Sequence, residues 1–213
     1  MKKIIVIGAG GHAVSIANVI QSTDYELKGF VDKNKAGNML LGIDIYGDES
    51  IFFDSDTCFC IAIGANFLRE RVAKRLIERV GHERLPKIVH TSASIGIHSS
   101  IGPGSVVMPN VTVGPNTKIG QFCLLNTNAS IDHDSVMQDY ASLAPGVHTG
   151  GNVRIGERSA ISIGAAVRHG IGIGADTIIG AASYVHEDIG SNMVAYGIPA
   201  REIRRRARED AYL

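Results

Sequence analysis

Residues 95–124 read IGIHSS-IGPGSV-VMPNVT-VGPNTK-IGQFCL, five hexads in one register. Ile95, Ile101, Val107, Val113 and Ile119 head them, and the same position continues through Leu125, Ile131, Met137, Leu143, Thr149, Ile155, Ile161, Val167, Ile173, Ile179 and Val185. Only Thr149 breaks the aliphatic series. Two residues before each stands a small or β-branched residue, as at Ser105, Val111, Thr117, Cys123, Ala129, Ser135 and Ala141. Residues two apart on a strand share a face, so both point inward and the residue between them points out. Gly often follows the aliphatic residue, as at Gly96, Gly102, Gly114 and Gly150, where the expectation is a corner needing positive φ. An unbroken six-residue period is the signature of a parallel β-helix. Three hexads close one triangular coil, so residues eighteen apart stack about 4.8 Å apart and the prism is on the order of 25 Å tall. Val89 carries the register one hexad further back.

Upstream, strand and helix patterns alternate. Ile4 to Ile7 is a buried strand, Gly8-Ala9-Gly10-Gly11-His12 a glycine turn, and Ala13 to Ser22 has helical spacing. Leu27 to Val31 and Cys58 to Ile63 are further strands, and Asp48 to Phe53 a short helix. Phe67 to Val80 is amphipathic, with Leu68, Val72, Leu76 and Val80 on the expected buried stripe and Arg69, Glu70, Arg71 and Lys74 opposite. Pro86 to Val89 reads as the last strand of this unit. The expected fold is therefore α/β plus β: a small Rossmann-like parallel α/β domain over 1–86, a parallel β-helix over 87–200, and a short helical tail over 201–213.

Net charge is zero, with 21 basic and 21 acidic residues, so nothing favours nucleic acid. The one basic run, Arg201, Arg204, Arg205, Arg206 and Arg208, is diluted by Glu202, Glu209 and Asp210 and reads as a solvated terminal helix. Cys58, Cys60 and Cys123 read as buried thiols rather than disulfides or a zinc site. No apolar run reaches membrane-spanning length and no leader is recognisable, so the expected compartment is the cytoplasm.

Two constellations carry chemistry. Gly8, Gly10 and Ala13 form G-x-G-x-x-A directly after a strand, and Asp32 closes the second strand. Such a turn lets a phosphate approach the backbone at a helix N-terminus, with the acid on a ribose hydroxyl. The domain is too short for two mononucleotide halves and suits one nucleotide, such as a UDP- or CMP-linked sugar. His12 stands where phosphate or sugar would lie. In the β-helix, His133 and Asp134 fall on one corner, and the residue eighteen after His133 is Gly151, preceded by Gly150. The expectation is a notch above an imidazole flanked by a carboxylate, equipped for general base catalysis, with the Gly151 N–H as an oxyanion donor. His98, His169 and His186 also lie at corners, and His148 points out of a face towards a possible neighbouring subunit. His133 and His169 are two rungs, roughly 10 Å, apart, so no metal site is expected.

These motifs resemble the sugar acyltransferases with left-handed β-helices. The matching branch includes bacillosamine-pathway N-acetyltransferases of UDP-amino sugars and sialic acid O-acetyltransferases. The resemblance rests on Gly8 to His12, Gly29-Phe30-Val31-Asp32, Ala62-Ile63-Gly64, Asn126-Thr127, Ile131-Asp132-His133-Asp134, Gly150 to Gly156 and Gly197-Ile198-Pro199-Ala200. It alone implies the left hand of the coil, since parallel crossovers are generally right-handed. It implies His133 as catalytic base, Asp134 as the acid raising its basicity, and Asn126 in the same groove. It implies acetyl-CoA contacts at Ser142, Gly151, Ile163 and Ala181, and nucleotide-sugar contacts at Gly10, Gly11, His12, Asp32 and Gly64. It also implies a homotrimer with clefts between subunits. Many such members carry a second acid after the Asp, where this chain has Lys33, a partner for a phosphate or a sugar carboxylate. Ser142 replaces a His of the bacillosamine enzyme. The implied activity is acetyl transfer from acetyl-CoA to the amino group of a nucleotide-linked sugar. The alternatives are O-acetylation of sialic acid or a related hydroxyl, and a non-catalytic nucleotide-binding regulator.

Overall fold

A computed structural model of the chain describes residues 1–210; the end of the expected helical tail, 211–213, lies outside the described residues. The α/β unit comprises β1 (Lys2–Ile7), α1 (Gly11–Gln21), β2 (Tyr25–Val31), β3 (Met39–Leu40), β4 (Ile43–Tyr46), β5 (Cys58–Ile61) and α2 (Asn66–Val80). Its sheet order is β3-β4-β2-β1-β5, parallel except for the β3–β4 pair. Ile4 and Val6 face α1 through Ala13, Ile16 and Ile20, while Ile5, Ile7 and Phe59 face α2 through Ala73, Leu76 and Val80. A strand covered on both faces is continuously apolar, which is why Ile4-Ile5-Val6-Ile7 shows no alternation. The short helix read near residue 50 is a 3₁₀ turn over Glu49–Phe52, and β3 and β4 are strands that the sequence reading did not separate from loop.

From Ile88–Val89 to Tyr184–Val185 a two-residue strand recurs every six residues. The pairings Thr112↔Ser130, Lys118↔Val136 and Leu124↔Ser142 show the eighteen-residue coil on all three sides of the prism. Ser105, Val111, Thr117, Cys123, Ala129, Ser135 and Ala141 are fully buried, as the hexad pattern requires. The buried hydroxyls bond to adjacent coils: Ser105 donates to the Gly120 carbonyl at 2.8 Å and accepts from the Cys123 N–H at 2.9 Å. The final coil is two residues shorter, pairing Ile178 with Val194 and Ile179 with Ala195.

Four expectations are corrected. Ile88–Val89 pairs with Val106–Val107, as the register carried back to Val89 and the β-helix start at 87 require, so Pro86–Val89 is not the last strand of the α/β unit. The glycine after each aliphatic residue is not the left-handed corner. Positive φ falls two residues later, at His98, Asn110, Asn116, Asn128, Asp134 and Asn152 among others, mostly residue types that tolerate it. The glycine is needed for space instead: a Cβ on Gly114 would lie 2.5 Å from the His133 nitrogen of the next coil. The third correction concerns α2, where Leu68 is 48% exposed while Arg69 and Glu70 are buried. This helix serves two partners, its own sheet and a β-helix corner. Arg69 donates to the carbonyls of Phe122 at 2.8 Å, Tyr140 at 2.7 Å, Ile63 at 3.0 Å and Gly64 at 2.9 Å, and to the Asn66 side chain at 2.7 Å. Finally, the Arg-rich segment is not helical. Ala200–Arg205 is a strand antiparallel to Met193–Gly197, whose open edge overrides helix propensity. Beyond it Arg208 pairs with Glu70 and lies over the Phe67 ring, tying the tail to α2.

One side of the prism carries Ile88, Val106, Leu124, Ser142, Ala160 and Ile178 as its outward residues, all 5% exposed or less. Ile88, Val106 and Leu124 share a core with Ala13, Ile16 and Ile20 of α1, so this is the side the α/β unit covers. The side carrying Ser94, Thr112, His148, Ala166 and Tyr184 is open.

Candidate active site

His133 follows the Ser130–Ile131 strand onto the corner at one edge of the open side. Its Nδ1 is 2.8 Å from Asp134 Oδ2, and its N–H donates to Asp132 Oδ1 at 2.7 Å. The hydrogen bond to Asp134 and the charge of Asp132 raise the imidazole pKa above its usual 6.5, while that same bond and one from Asn116 hold the Asp134 carboxyl below its ordinary range. A carboxylate can only accept, so Nδ1 carries the hydrogen and Nε2 keeps its lone pair. Both side chains are more than half exposed.

Gly151 stands one coil on, as its spacing predicts, but the space it leaves is not an empty notch. A Cβ there would lie 2.5 Å from both Cε1 and Nε2 of His133. The imidazole itself leans across the glycine, and the absent side chain fixes where the ring can sit.

The other residues expected around His133 divide into two groups. Asn126 donates to the Leu143 carbonyl at 2.7 Å, on the corner at the opposite edge of the open side. Ile163, 57% exposed, and Ala181 belong to that same corner, two residues after Ile161 and Ile179. One chain therefore places His133 and Gly151 at one edge of the side and Asn126, Ile163 and Ala181 at the other. Ser142 is 3% exposed, beneath the α/β unit.

The second constellation assembles at the carboxyl ends of β1, β2 and β5, where open α/β sheets bind ligands. Gly8 has φ +110°, and a Cβ would meet the Ala62 carbonyl oxygen at 3.0 Å. Gly10, which caps α1, and Gly11 and Gly64 face open space. Asp32 closes β2 and accepts from the Asn34 N–H at 3.0 Å. His12 is half-buried, and among the described residues its Nε2 meets no hydrogen-bond partner. Burial, helped by the Arg69 charge, lowers its pKa to about 4, so it is neutral at neutral pH. Lys33 is exposed, and the cation that reaches the turn is Lys35, whose Nζ donates to the Ala9 carbonyl at 2.7 Å. Sequence reading missed Lys35, which no spacing rule marks. It also missed Asn116, which the eighteen-residue register does mark, one coil before Asp134. Among the described residues no helix is long and apolar enough to cross a membrane.

A nucleotide-type turn joined to a β-helix with a histidine–carboxylate pair on its corner defines a hexapeptide-repeat sugar acyltransferase. The PglD N-terminal domain family matches residues 3–76, and the bacterial transferase hexapeptide (six repeats) family matches 92–127. The acetyltransferase domain of PglB from Neisseria gonorrhoeae FA1090, solved in complex with acetyl coenzyme A, is 30% identical with TM-score 0.88, over 95% of this chain and 99% of that one. PerB from Caulobacter crescentus, solved with CoA and GDP-perosamine, is 29% identical with TM-score 0.89, over 96% of this chain and 98% of that one. Variants of that perosamine N-acetyltransferase with a single histidine replaced superpose equally well, with TM-score 0.90. A curated relative, the uncharacterized protein L142 of Acanthamoeba polyphaga mimivirus, is 28% identical over 121 residues, 56% of this chain, which spans only 24% of that protein's length. The chain belongs to the PglD-type sugar N-acetyltransferases, acetyl-CoA-dependent enzymes with a PglD N-terminal domain and a left-handed hexapeptide β-helix.

Proposed function

We propose that this enzyme moves the acetyl group of acetyl-CoA onto the amino group of a nucleotide-linked amino sugar, with His133 as general base. The observation that carries the reading is the His133 imidazole, bonded through Nδ1 to Asp134 and leaning across Gly151, with Nε2 free to accept. The sugar nucleotide docks at Gly10, Gly11, His12, Asp32 and Gly64, with Lys33 and Lys35 supplying positive charge for phosphate. The acceptor amine attacks the thioester carbonyl as Nε2 takes its proton. The tetrahedral oxyanion is held by the Gly151 N–H, a donor worth about 2.7–4 kcal/mol in comparable sites. Collapse expels the CoA thiolate, which recovers the proton from the imidazolium. Asp134 stabilises that imidazolium throughout.

The functional unit is a homotrimer with each cleft between two chains. Its support is the division within one chain: His133 and Gly151 on one edge, Asn126, Ile163 and Ala181 on the other. A second copy brings the two edges together, with acetyl-CoA between them. The buried free thiols Cys58, Cys60 and Cys123 suit the reducing cytoplasm, where both substrates would be met. Thiol release from acetyl-CoA, assayed across UDP-, GDP- and CMP-linked amino sugars, tests the reading. Release dependent on an amino sugar nucleotide, giving an alkali-stable product, supports it; an alkali-labile ester or no turnover with any of them overturns it.

A further inference from the structure

We propose that Asn116 is a positioning residue for acetyl transfer: from one coil earlier, its amide holds the Asp134 carboxylate turned so that His133 presents Nε2 as the base. The inference rests on the reading of His133 as base and extends the site by a third member. Asn116 and Asp134 occupy the same corner position on consecutive coils, both left-handed at φ +58°. Asn116 Nδ2 donates to Asp134 Oδ1 at 3.1 Å, and the other oxygen, Oδ2, is 2.8 Å from His133 Nδ1. Each carboxylate oxygen thus has one assigned partner. Because a carboxylate offers no hydrogen, the arrangement fixes both the Asn116 amide orientation and the imidazole tautomer. Asp134 and His133 are more than half exposed, so packing does not hold the carboxylate in place; its order comes from its hydrogen bonds.

The charged surroundings are few. Asp132 lies on the same corner; on the next coil Gly151 has no side chain and Asn152 stacks on Asp134, and Pro115 and Asn116 on the preceding coil are uncharged, as is Asn152. His98 stands two coils before Asp134 and His169 two coils after His133. Of the two amides stacked on Asp134, Asn116 is the one whose Nδ2 bonds the carboxylate, and it orients that carboxylate without adding charge.

Two variants test this. Asn116→Asp keeps size and tolerance of left-handed φ, removes the donor and adds a negative charge. Asn116→Ala removes the amide without adding charge, but places a less tolerant residue at φ +58°. Asn116→Asp should fold with unchanged melting temperature, while Asn116→Ala, with alanine held left-handed at this position, should melt a few degrees lower but still fold. Both should lose about tenfold in kcat, the low end for a lost bond to a charged group, with the KM for acetyl-CoA unmoved. The acid limb of kcat/KM should shift to higher pH in Asn116→Asp and to lower pH in Asn116→Ala, and NMR titration of the His133 ring in the free protein should shift the same way. Wild-type kcat in both variants, or a fall in kcat with no movement of the His133 titration in either, overturns the proposal. Full activity in His133→Ala would remove the base reading by itself, while the ring titration would still report whether Asn116 acts on the pair.

Discussion

One methyl group at position 151 tests how the base is held. Gly151 does not have a left-handed φ, so alanine meets no backbone penalty there, but its Cβ would sit 2.5 Å from two atoms of the His133 ring. Gly151→Ala should displace the imidazole by about an ångström and lower kcat on the order of 10²-fold, with little change in melting temperature. His133→Ala should cost on the order of 10²–10⁴ in rate. The double variant should be no slower than His133→Ala alone, because the methyl acts only by displacing a ring that is already gone and alanine keeps the residue 151 N–H. An additive loss would mean that the methyl also disturbs the residue 151 N–H and not the ring alone. The pH dependence follows from the raised His133 pKa. With His133 as the proposed base, only its neutral form acts, so kcat/KM should fall as pH drops through a value above 6.5, the ordinary imidazole pKa. Asp132→Asn retains an acceptor for the His133 N–H but removes a charge that raises this pKa, so its acid limb should lie at lower pH with the plateau unchanged. A limb that stays put would dissociate Asp132 from the titration.

At the scale of elements, α2 joins the two halves of the chain. Arg69 is fully buried and its guanidinium gathers carbonyls from the β5–α2 loop and from two coils of the β-helix. Arg69→Met removes these donors and leaves the carbonyls buried without them. That should cost about 3 kcal/mol or more, a drop of roughly 6–12 °C in melting temperature for a chain of this size. Because Arg69 also holds the Gly64 carbonyl, the KM for the sugar nucleotide should rise while that for acetyl-CoA stays near its original value. Equal rises in both constants would show general loosening instead. The β-helix was legible in the sequence because a strict period turns each residue number into a position: His133, Asp134 and Gly151 were brought together by counting alone. The role of Arg69 was not legible. A helical stripe shows which residues are apolar, and α2 gives one of its fully buried positions to a cation that a second domain satisfies. Lys35 was missed for a related reason, since only the folded β2–β3 loop carries it 26 residues back to the glycine turn. The tail was misread because arginines favour a helix in isolation, whereas the last coil offers an unpaired strand edge.

At the scale of the whole molecule, the divided site makes a prediction that no single chain can satisfy. If each cleft takes His133 from one subunit and the Asn126–Ile163 corner from its neighbour, a His133→Ala chain and an Ile163→Glu chain are each inactive as homotrimers but carry complementary intact halves. Unfolding an equal mixture and refolding it together should give random trimers. A cleft is then intact when an Ile163→Glu chain supplies His133 and a His133→Ala chain supplies the facing corner. About a quarter of clefts meet that condition, so activity should recover to about a quarter of wild type. Light scattering on the same sample should report three chains per particle. Recovery fails if all the catalytic groups act within one chain, because every chain in the mixture then carries one defect. A trimer with no recovered activity would separate the two claims, leaving the assembly intact and returning the site to the surface of a single subunit.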